Sequence, residues 1–235
     1  MKKMTKKTLL IGTLCIVMSS MLVSSASAAQ YCYGWYHLQN DVTGVWSYVK
    51  ETSAVHHQAG NYMQKWDAIV VASGTNNYTA EVNLVWFQSD ASSQLFFTAA
   101  VQKQGVWASD VTAQVSTTNL DSSTIKICCG RNGAGSTVWM FYYSLDGGTN
   151  WITMRTYDFG VVWSGDRYVT TFEDSVGAMT ASSSPSLAGQ TTSMQYQLSG
   201  WNWYDTNLDT VLNSGQDPHI TYGHSATSET GTWHT

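Results

Sequence analysis

The segment Trp163-Ser-Gly-Asp-Arg-Tyr-Val-Thr-Thr-Phe-Glu-Asp-Ser-Val-Gly177 combines a strand-like run, residues 168–172, with a glutamate placed directly before a turn. Alternation along a strand predicts that Val169, Thr171 and Glu173 share one face. Glu173 is one of only four glutamates in the chain. A carboxylate held on rigid backbone near aromatic surface is suited to acid or base chemistry. The alternative is a solvated carboxylate that closes an edge strand.

Outside this segment, short runs rich in Val, Ile, Thr, Tyr and Trp recur from residue 45 onward, separated by Gly, Asn, Asp and Ser. This pattern is typical of antiparallel sheets, and no segment shows sustained helical periodicity. We predict an all-β fold, an antiparallel two-sheet β-sandwich of the jelly-roll kind. The predicted strands are residues 45–50, 65–72, 80–87, 94–101, 111–118, 124–129, 137–144, 151–157, 160–163, 168–173 and 194–198.

The first 29 residues have the order of a secretory signal peptide. Four lysines precede an apolar run over residues 9–23, and Ala26-Ser-Ala28 fits a small-residue cleavage site. The apolar run is short for a membrane span, and an uncleaved N-terminal anchor is the alternative. We therefore expect a secreted, extracellular protein with one β-sandwich domain over residues 30–235, since this length suits one large all-β domain.

The charge balance excludes several classes of partner. The whole chain carries a formal net charge of −5, and four of its 11 basic residues lie in the predicted signal peptide, which leaves seven against 16 acidic residues. A mature chain of this acidity is a poor ligand for nucleic acid or an anionic membrane. We expect a monomer that needs no cofactor and no metal, and that solvates itself through neutral hydrogen-bonding groups.

Three cysteines remain after the predicted cleavage, because Cys15 lies in the apolar run. An odd number of cysteines in a secreted chain indicates one disulfide and one remaining thiol, or a strained disulfide between the adjacent Cys128 and Cys129. We expect Cys32 to pair with Cys128 or Cys129, which would fix the N-terminal arm. The pattern does not distinguish the two acceptors.

Two short motifs have a defined geometry. Ser144-Leu-Asp-Gly-Gly-Thr-Asn-Trp151 has the spacing of an Asp-box and predicts a tight hairpin in which Gly147 supplies a positive φ. Asp205, Asn207 and Asp209 alternate like the ligands of a calcium loop, but the glycine and the closing glutamate of such a loop are replaced by Thr210 and Gln216. The hairpin motif predicts strand register, and calcium binding is left open.

The landmarks that resemble a known family lie on four segments: Gly44-Val-Trp-Ser-Tyr-Val49, Glu81-Val-Asn-Leu-Val-Trp86, Val138-Trp-Met-Phe-Tyr-Tyr-Ser-Leu-Asp-Gly147 and Phe172-Glu-Asp174. In this order they resemble the strands of the glutamic peptidases, the eqolisin and neprosin-type proteins. The resemblance spans residues 44–194 and implies a concanavalin-like double sheet.

The resemblance also implies roles for single residues. Glu173 matches the glutamate that activates water, and Asn83 is nearest to the family's oxyanion-stabilising Gln or Glu, with Glu81 as the substitute. Asn83 is one methylene shorter than Gln and does not titrate, so the resemblance leaves open whether catalysis is retained. Residues expected to line the substrate cleft are Trp86, Gln88 and Trp139.

Three functions follow as hypotheses. The first is hydrolysis of an extended peptide at acid pH, or a relative that has lost this activity. The second is a carbohydrate- or wall-binding module that uses Trp and Tyr platforms such as Trp201 and Trp203. The third is a glycoside hydrolase with Glu81 and Glu173 as paired carboxylates, which requires carboxyl groups about 5 to 9 Å apart. A closer approach of Asn83 than of Glu81 to Glu173 would favour the peptidase.

Overall fold

The structure is a computed structural model that describes residues 29–51, 56–57, 62–89, 93–115, 124–176, 179–180, 186–215 and 220–233. The predicted signal peptide therefore lies outside the described residues, apart from Ala29. The described residues contain strands and turns and no helix, hence no helix of the length and apolar character that a membrane span needs.

The strands are β1 (Ala29–Glu51), β2 (His56–His57), β3 (Tyr62–Ser73), β4 (Tyr78–Ser89), β5 (Ser93–Lys103), β6 (Val106–Trp107), β7 (Val111–Val115), β8 (Lys126–Arg131), β9 (Val138–Ser144), β10 (Ile152–Asp158), β11 (Gly165–Val176), β12 (Met179–Thr180), β13 (Ser186–Leu198), β14 (Trp203–Asp205), β15 (Thr210–Gly215), β16 (Ile220–Ser225) and β17 (Ser228–Trp233). Every pairing between them is antiparallel.

Strand β1 connects the two sheets of the sandwich. Its first half pairs with β11 and β15, and its second half pairs with β8 and β13. The change of partners coincides with a register shift between Leu38 and Val42 and with a positive φ of 62° at Asp41. A bulge of this kind bends a strand and lets it pass from one sheet to the other.

We name the two sheets by their strands. The front sheet has the order β15, the first half of β1, β11, β3, β4 and β5, with β6 and β7 on β5. The back sheet has the order β10, β9, β8, the second half of β1, β13, β17 and β16, with β14 on β13. The sheet is not closed into a barrel, and the expected antiparallel β-sandwich is confirmed.

The main core lies between the sheets and follows the period-two alternation of the strands. On β4 the apolar residues at even positions, Ala80, Val82 and Leu84, face this core, and on β9 Trp139 and Phe141 do the same. Trp139 stacks on Trp163 with ring centroids 4.2 Å apart. Aromatic rings thus fill part of the space between the sheets.

The outer face of the front sheet is also buried. Apolar residues there form a second cluster, which Tyr36 and Trp107 pack against and which consists of Cys32, Ala68, Val70, Ala72, Val169 and Leu212. The central strands of the front sheet are therefore enclosed on both faces. This is why β3 appears in the sequence as an almost continuous apolar run over residues 68–72.

The strand predicted at residues 160–163 is wrong. This segment is a loop, in which Gly160 has a positive φ of 71° and donates its N–H to Asp158 Oδ1 at 2.7 Å. The side chains of Val161 and Val162 are exposed there, and this apolar pair does not pair with any described strand.

The predicted disulfide is also wrong, because Cys128 and Cys129 are both free thiols. Cys129 pairs with Val45 in the back sheet, whereas Cys32 lies 13 positions earlier in the same strand, in the front sheet. Cys129 belongs to the core between the sheets, whereas Cys32 belongs to the cluster on the outer face of the front sheet, so the two side chains lie in different layers. Burial raises the pKa of Cys128 to about 12 and also raises the pKa of Cys129.

The hairpin between β9 and β10 has the predicted Asp-box geometry. Asp146 Oδ1 accepts hydrogen bonds from Ser144 Oγ at 2.7 Å and from the Asn150 N–H at 2.9 Å, and Gly147 has a φ of 75°. The Asn150 N–H, the Asn150 side chain and the Ser144 hydroxyl together lower the pKa of Asp146 to about 2. The prediction of a register-setting turn is confirmed.

Candidate functional site

Strand β4 places two polar side chains on the outer face of the front sheet. Glu81 and Asn83 alternate with the core residues of β4, so they point away from the inter-sheet core, and both are 0% exposed. Glu81 is opposite Val70 on β3 and Ala100 on β5. A carboxyl group and a carboxamide are thus enclosed on a face made mainly of small residues.

The Asn83 carboxamide is held at one end only. Its Nδ2 lies 3.0 Å from Thr98 Oγ1, while its Oδ1 has no hydrogen-bond partner among the described residues. Because a hydroxyl both donates and accepts, turning the amide by 180° keeps the Thr98 bond and leaves the NH₂ group without a partner instead. A buried polar atom without a protein partner is uncommon in folded proteins.

Glu173 lies in β11, and its side chain is outside the described part of the structure. Its backbone pairs with Trp66 on β3, and Trp66 pairs in turn with Val85 on β4. With strands about 4.8 Å apart and about 3.4 Å per residue, the Cα atom of Glu173 is about 12 Å from that of Asn83 and about 17 Å from that of Glu81. Asn83 is therefore nearer to Glu173 than Glu81 is. The peptidase hypothesis requires this order, whereas the glycosidase hypothesis requires Glu81 and Glu173 to be close together.

The predicted cleft residues do not line an open cleft. Trp86 and Trp139 belong to the inter-sheet core, at 4% and 0% exposure, so their rings are not available to a substrate. Trp86 points inward because it sits at an even position of β4, on the opposite face from Asn83. The side chain of Gln88 lies outside the described residues.

A second polar cluster, which the sequence did not indicate, lies between the sheets. Glu229 on β17 accepts a hydrogen bond from Thr170 Oγ1 at 2.8 Å, and Thr170 Oγ1 is 3.1 Å from Thr191 Oγ1. Asp67 accepts a hydrogen bond from the Gln190 N–H at 2.9 Å. These contacts join β3 and β11 of the front sheet to β13 and β17 of the back sheet.

Gly189 makes the approach of Asp67 possible. A Cβ atom at this position would lie 2.8 Å from both carboxylate oxygens of Asp67 and 2.6 Å from the Phe172 ring. The backbone of β13 can therefore reach the carboxylate only with glycine here. The contact between Asp67 and the backbone at Gly189 could not be predicted from the sequence, since no local pattern connects these two positions.

The residues considered for calcium have other partners. Asp205 Oδ1 accepts a hydrogen bond from Gln195 Nε2 at 2.8 Å, and Asp209 Oδ2 lies 2.7 Å from His37 Nδ1. The backbone N–H of Asn207 donates to the Tyr168 hydroxyl at 2.6 Å. In the described residues no group of three or more His, Cys, Asp or Glu side chains is arranged to hold a metal ion.

Comparison with known proteins gives a match at the level of structure. No family model and no curated protein sequence matches the chain. A crystal structure of scytalido-glutamic peptidase with a peptide-based transition-state analogue superposes with a TM-score of 0.52 at 11% identity, covering 88% of this chain and 100% of that chain. SCP-B, an eqolisin-family peptidase in complex with the tripeptide Ala-Ile-His, gives 0.50 at 8% identity with the same coverage.

These neighbours span the whole β-sandwich and are glutamic peptidases, as the landmark segments had indicated. At such low identity the likeness establishes architecture and leaves the chemistry to be argued from this chain's own residues. The chain therefore has the fold of the glutamic peptidases, to which it bears a distant resemblance.

Proposed function

We propose that this protein is a secreted glutamic-type peptidase that hydrolyses peptide bonds at acid pH on the outer face of the front sheet. The observation that carries the proposal is the buried Asn83 carboxamide, anchored by Thr98 at one end and without a described partner at the other. An amide held rigidly in an enclosed, weakly polar site is suited to stabilise an oxyanion. The fold shared with known glutamic peptidases supports this proposal.

The proposed reaction uses water as the nucleophile. The Glu173 carboxylate takes a proton from a water molecule while the water oxygen attacks the carbonyl carbon of the peptide. The resulting oxyanion accepts a hydrogen bond from the Asn83 NH₂ group. Glu173 then returns the proton to the departing amine as the C–N bond breaks, which releases a carboxylic acid and an amine and restores the enzyme.

Asn83 is opposite Ala68 on β3, and Ala68 is opposite Thr171 on β11, so these side chains share one side of the front sheet. Glu173 is two residues from Thr171, so period-two alternation predicts the same side for Glu173. The estimated 12 Å between the Cα atoms of Asn83 and Glu173 leaves room for a scissile bond between two side chains that reach toward each other. Glu81 is buried two residues from Asn83 on the same face of β4, and we propose that its protonation contributes to the pH dependence of the site.

The proposed site is buried, so the substrate needs a way to reach it. Glu81 and Asn83 are 0% exposed, so a substrate reaches them only after the outer face of the front sheet has been uncovered. We propose that acid pH promotes this opening, because protonation of buried carboxylates weakens the contacts that depend on their charge. Activity should therefore appear after incubation at low pH.

The four glutamates allow a complete test by single substitution to Gln. The full chain and the variants Glu51→Gln, Glu81→Gln, Glu173→Gln and Glu229→Gln are incubated with an unfolded protein substrate between pH 2 and pH 8, and cleavage is followed by mass spectrometry. Glu173→Gln should fold as well as the parent and lose activity by several orders of magnitude, since the base has no replacement. Glu81→Gln should shift the pH profile.

The controls separate chemistry from stability. Glu51→Gln should cleave like the parent, and Glu229→Gln should lower thermal stability while the folded fraction keeps its rate. A fully active Glu173→Gln variant would contradict the assignment of the base. A parent protein that cleaves nothing at any pH would contradict the proposed function itself.

A further inference from the structure

The outer face of the back sheet carries an open trough. Its floor is β8, where Lys126, Cys128 and Gly130 alternate with the core residues of that strand. Cys128 is opposite Trp46 on β1 and Tyr142 on β9. Small residues on one central strand between large rings on its two neighbours produce a groove that follows the strand.

Two further tryptophans raise the walls of this trough. Trp203 packs on Trp46 with ring centroids 6.5 Å apart, and Trp151 packs on Tyr142 with centroids 6.3 Å apart. Trp151 and Trp203 are 41% and 39% exposed, whereas Trp35, Trp86, Trp139 and Trp163 are at most 4% exposed. Each wall therefore consists of two aromatic rings in contact.

The trough has the length of a short oligomer. It encloses a cavity of about 480 Å³ around Cys128, which continues past Gly130 into a second cavity of about 230 Å³. From Lys126 to Arg131 the floor runs about 17 Å at about 3.4 Å per residue. Volumes in this range match those of small-molecule and oligomer sites.

The width selects a single ring. The walls stand on β1 and β9, which are two strand spacings, or about 9.6 Å, apart. Aromatic rings in contact with both faces of a flat ligand are about 7 to 8 Å apart, because each contact measures about 3.5 to 4.0 Å. The remaining space suits a puckered saturated ring, and it is too narrow for a helix.

The charges of the lining disfavour a cationic ligand, and the net negative charge of the chain disfavours a polyanionic one. The side chains around the larger cavity are Trp46, Lys126, Cys128, Tyr142, Trp151 and Trp203, and none of them is acidic. Lys126 Nζ lies 3.9 Å from the centre of the Trp46 ring, so the cation-binding face of that ring is already used. A second cation would be repelled by Lys126, whereas a hydroxyl group can accept a hydrogen bond from it.

Peptide binding by strand addition is excluded at this surface. The backbone groups of β8 are paired on one side with β1 and on the other with β9, so the floor has no free edge. We infer that the trough binds a neutral polysaccharide chain, whose pyranose rings stack against the exposed rings of Trp151 and Trp203 and whose hydroxyl groups contact Lys126.

This site is on the opposite sheet from Asn83, so the inference does not depend on the proposed peptidase function. The test is native gel electrophoresis of the full chain in gels that contain hydroxyethyl cellulose, mixed-linkage β-glucan, xylan or galactomannan. Retardation by at least one of these polymers is expected. The variants Trp151→Ala and Trp203→Ala should each weaken the retardation about tenfold, as expected for the loss of one stacking ring.

Tyr204→Ala is the matched control, since Tyr204 is 41% exposed on the same strand as Trp203 but packs on Tyr196 and does not line the trough. It should bind like the parent. Both tryptophan variants should retain the parent's unfolding temperature, because their rings are partly solvated. Retardation by none of the polymers, equal retardation of the Trp203→Ala variant, or binding of a poly-L-proline peptide only, would each overturn the inference.

Discussion

Replacing Thr170 by Val tests how the two sheets are held together. The Thr170 hydroxyl is 2.8 Å from Glu229 Oε2 and 3.1 Å from Thr191 Oγ1, and all three residues are at most 1% exposed. Valine has nearly the same shape as threonine, so the substitution removes the hydroxyl and leaves the packing in place. A buried carboxylate would then lose one donor that connects the front sheet to the back sheet.

The magnitude follows from the burial of the acceptor. Removing the donor from a hydrogen bond while its acceptor stays buried costs about 1 to 3 kcal/mol. We therefore expect Thr170→Val to lower the free energy of unfolding by about 2 kcal/mol. In a domain of this size such a loss corresponds to a decrease of about 4 to 8 °C in the unfolding temperature.

The assay is urea unfolding at pH 7, followed by tryptophan fluorescence and by far-ultraviolet circular dichroism, which should coincide if unfolding is two-state. Thr170→Ser is the control, because it keeps the hydroxyl and loses only a methyl group. The serine variant should be the more stable of the two. If Thr170→Val is as stable as the parent, the contact between Thr170 and Glu229 does not stabilise the sandwich and the reasoning fails.

Three further predictions concern separate parts of the fold. The pKa of Asp146 is about 2 in the folded protein, below its ordinary value of 3.8, so its stabilising effect is complete above about pH 4 and is lost as the pH falls through 2. The difference in unfolding temperature between the parent and Asp146→Asn should therefore disappear over that range. A difference independent of pH would contradict the assignment. In the native protein at pH 7, Cys128 should react slowly with iodoacetamide and Cys129 not at all, because burial raises the pKa of both thiols. Both thiols should react rapidly after unfolding. Rapid labelling of Cys129 in the native state would disagree with its burial. Trp139→Ala should lower the free energy of unfolding by about 3 to 5 kcal/mol because Trp139 is 0% exposed. Trp151→Ala, at an exposed position, should lower it by less than about 1 kcal/mol. Denaturant midpoints measure both values, and equal losses would contradict the prediction.

The strands that could be predicted from sequence are those whose two faces differ. In β4, Ala80, Val82 and Leu84 alternate with Thr79, Glu81 and Asn83, and this alternation can be read from the amino-acid sequence. The first half of β1 was missed because Gly34 and His37 interrupt its apolar pattern. Its strand conformation comes from pairing with β11 and β15, which lie far away in sequence.

The C-terminal strands were missed for a related reason. In β16 and β17, Thr, Ser and Gly dominate, and Gly223 and Gly231 lower the local strand propensity. These strands form because each supplies a partner for the other and because β17 extends the back sheet beside β13. Long-range pairing of this kind leaves no local signal.

The candidate site was predictable in part. Asn83 and Glu81 stand out as polar residues inside an apolar strand, and this local contrast is available from sequence. The faces of Trp86 and Trp139 were assigned to a cleft because the sequence does not show which side of a strand meets the other sheet. The cluster around Glu229 depends on Thr170 and Thr191, which are 59 and 38 positions away, so only the fold brings it together.

The most direct test of the peptidase proposal compares cleavage rates of the parent and Asn83→Leu on an acid-unfolded protein between pH 2 and pH 8. Leucine has the shape of asparagine without its amide, so the fold should be preserved and the oxyanion contact removed. The proposal predicts measurable cleavage by the parent at acid pH and a rate about 10² to 10³ lower in the variant. Equal rates in the two proteins would contradict the role of Asn83, and with it the observation on which the proposed function rests.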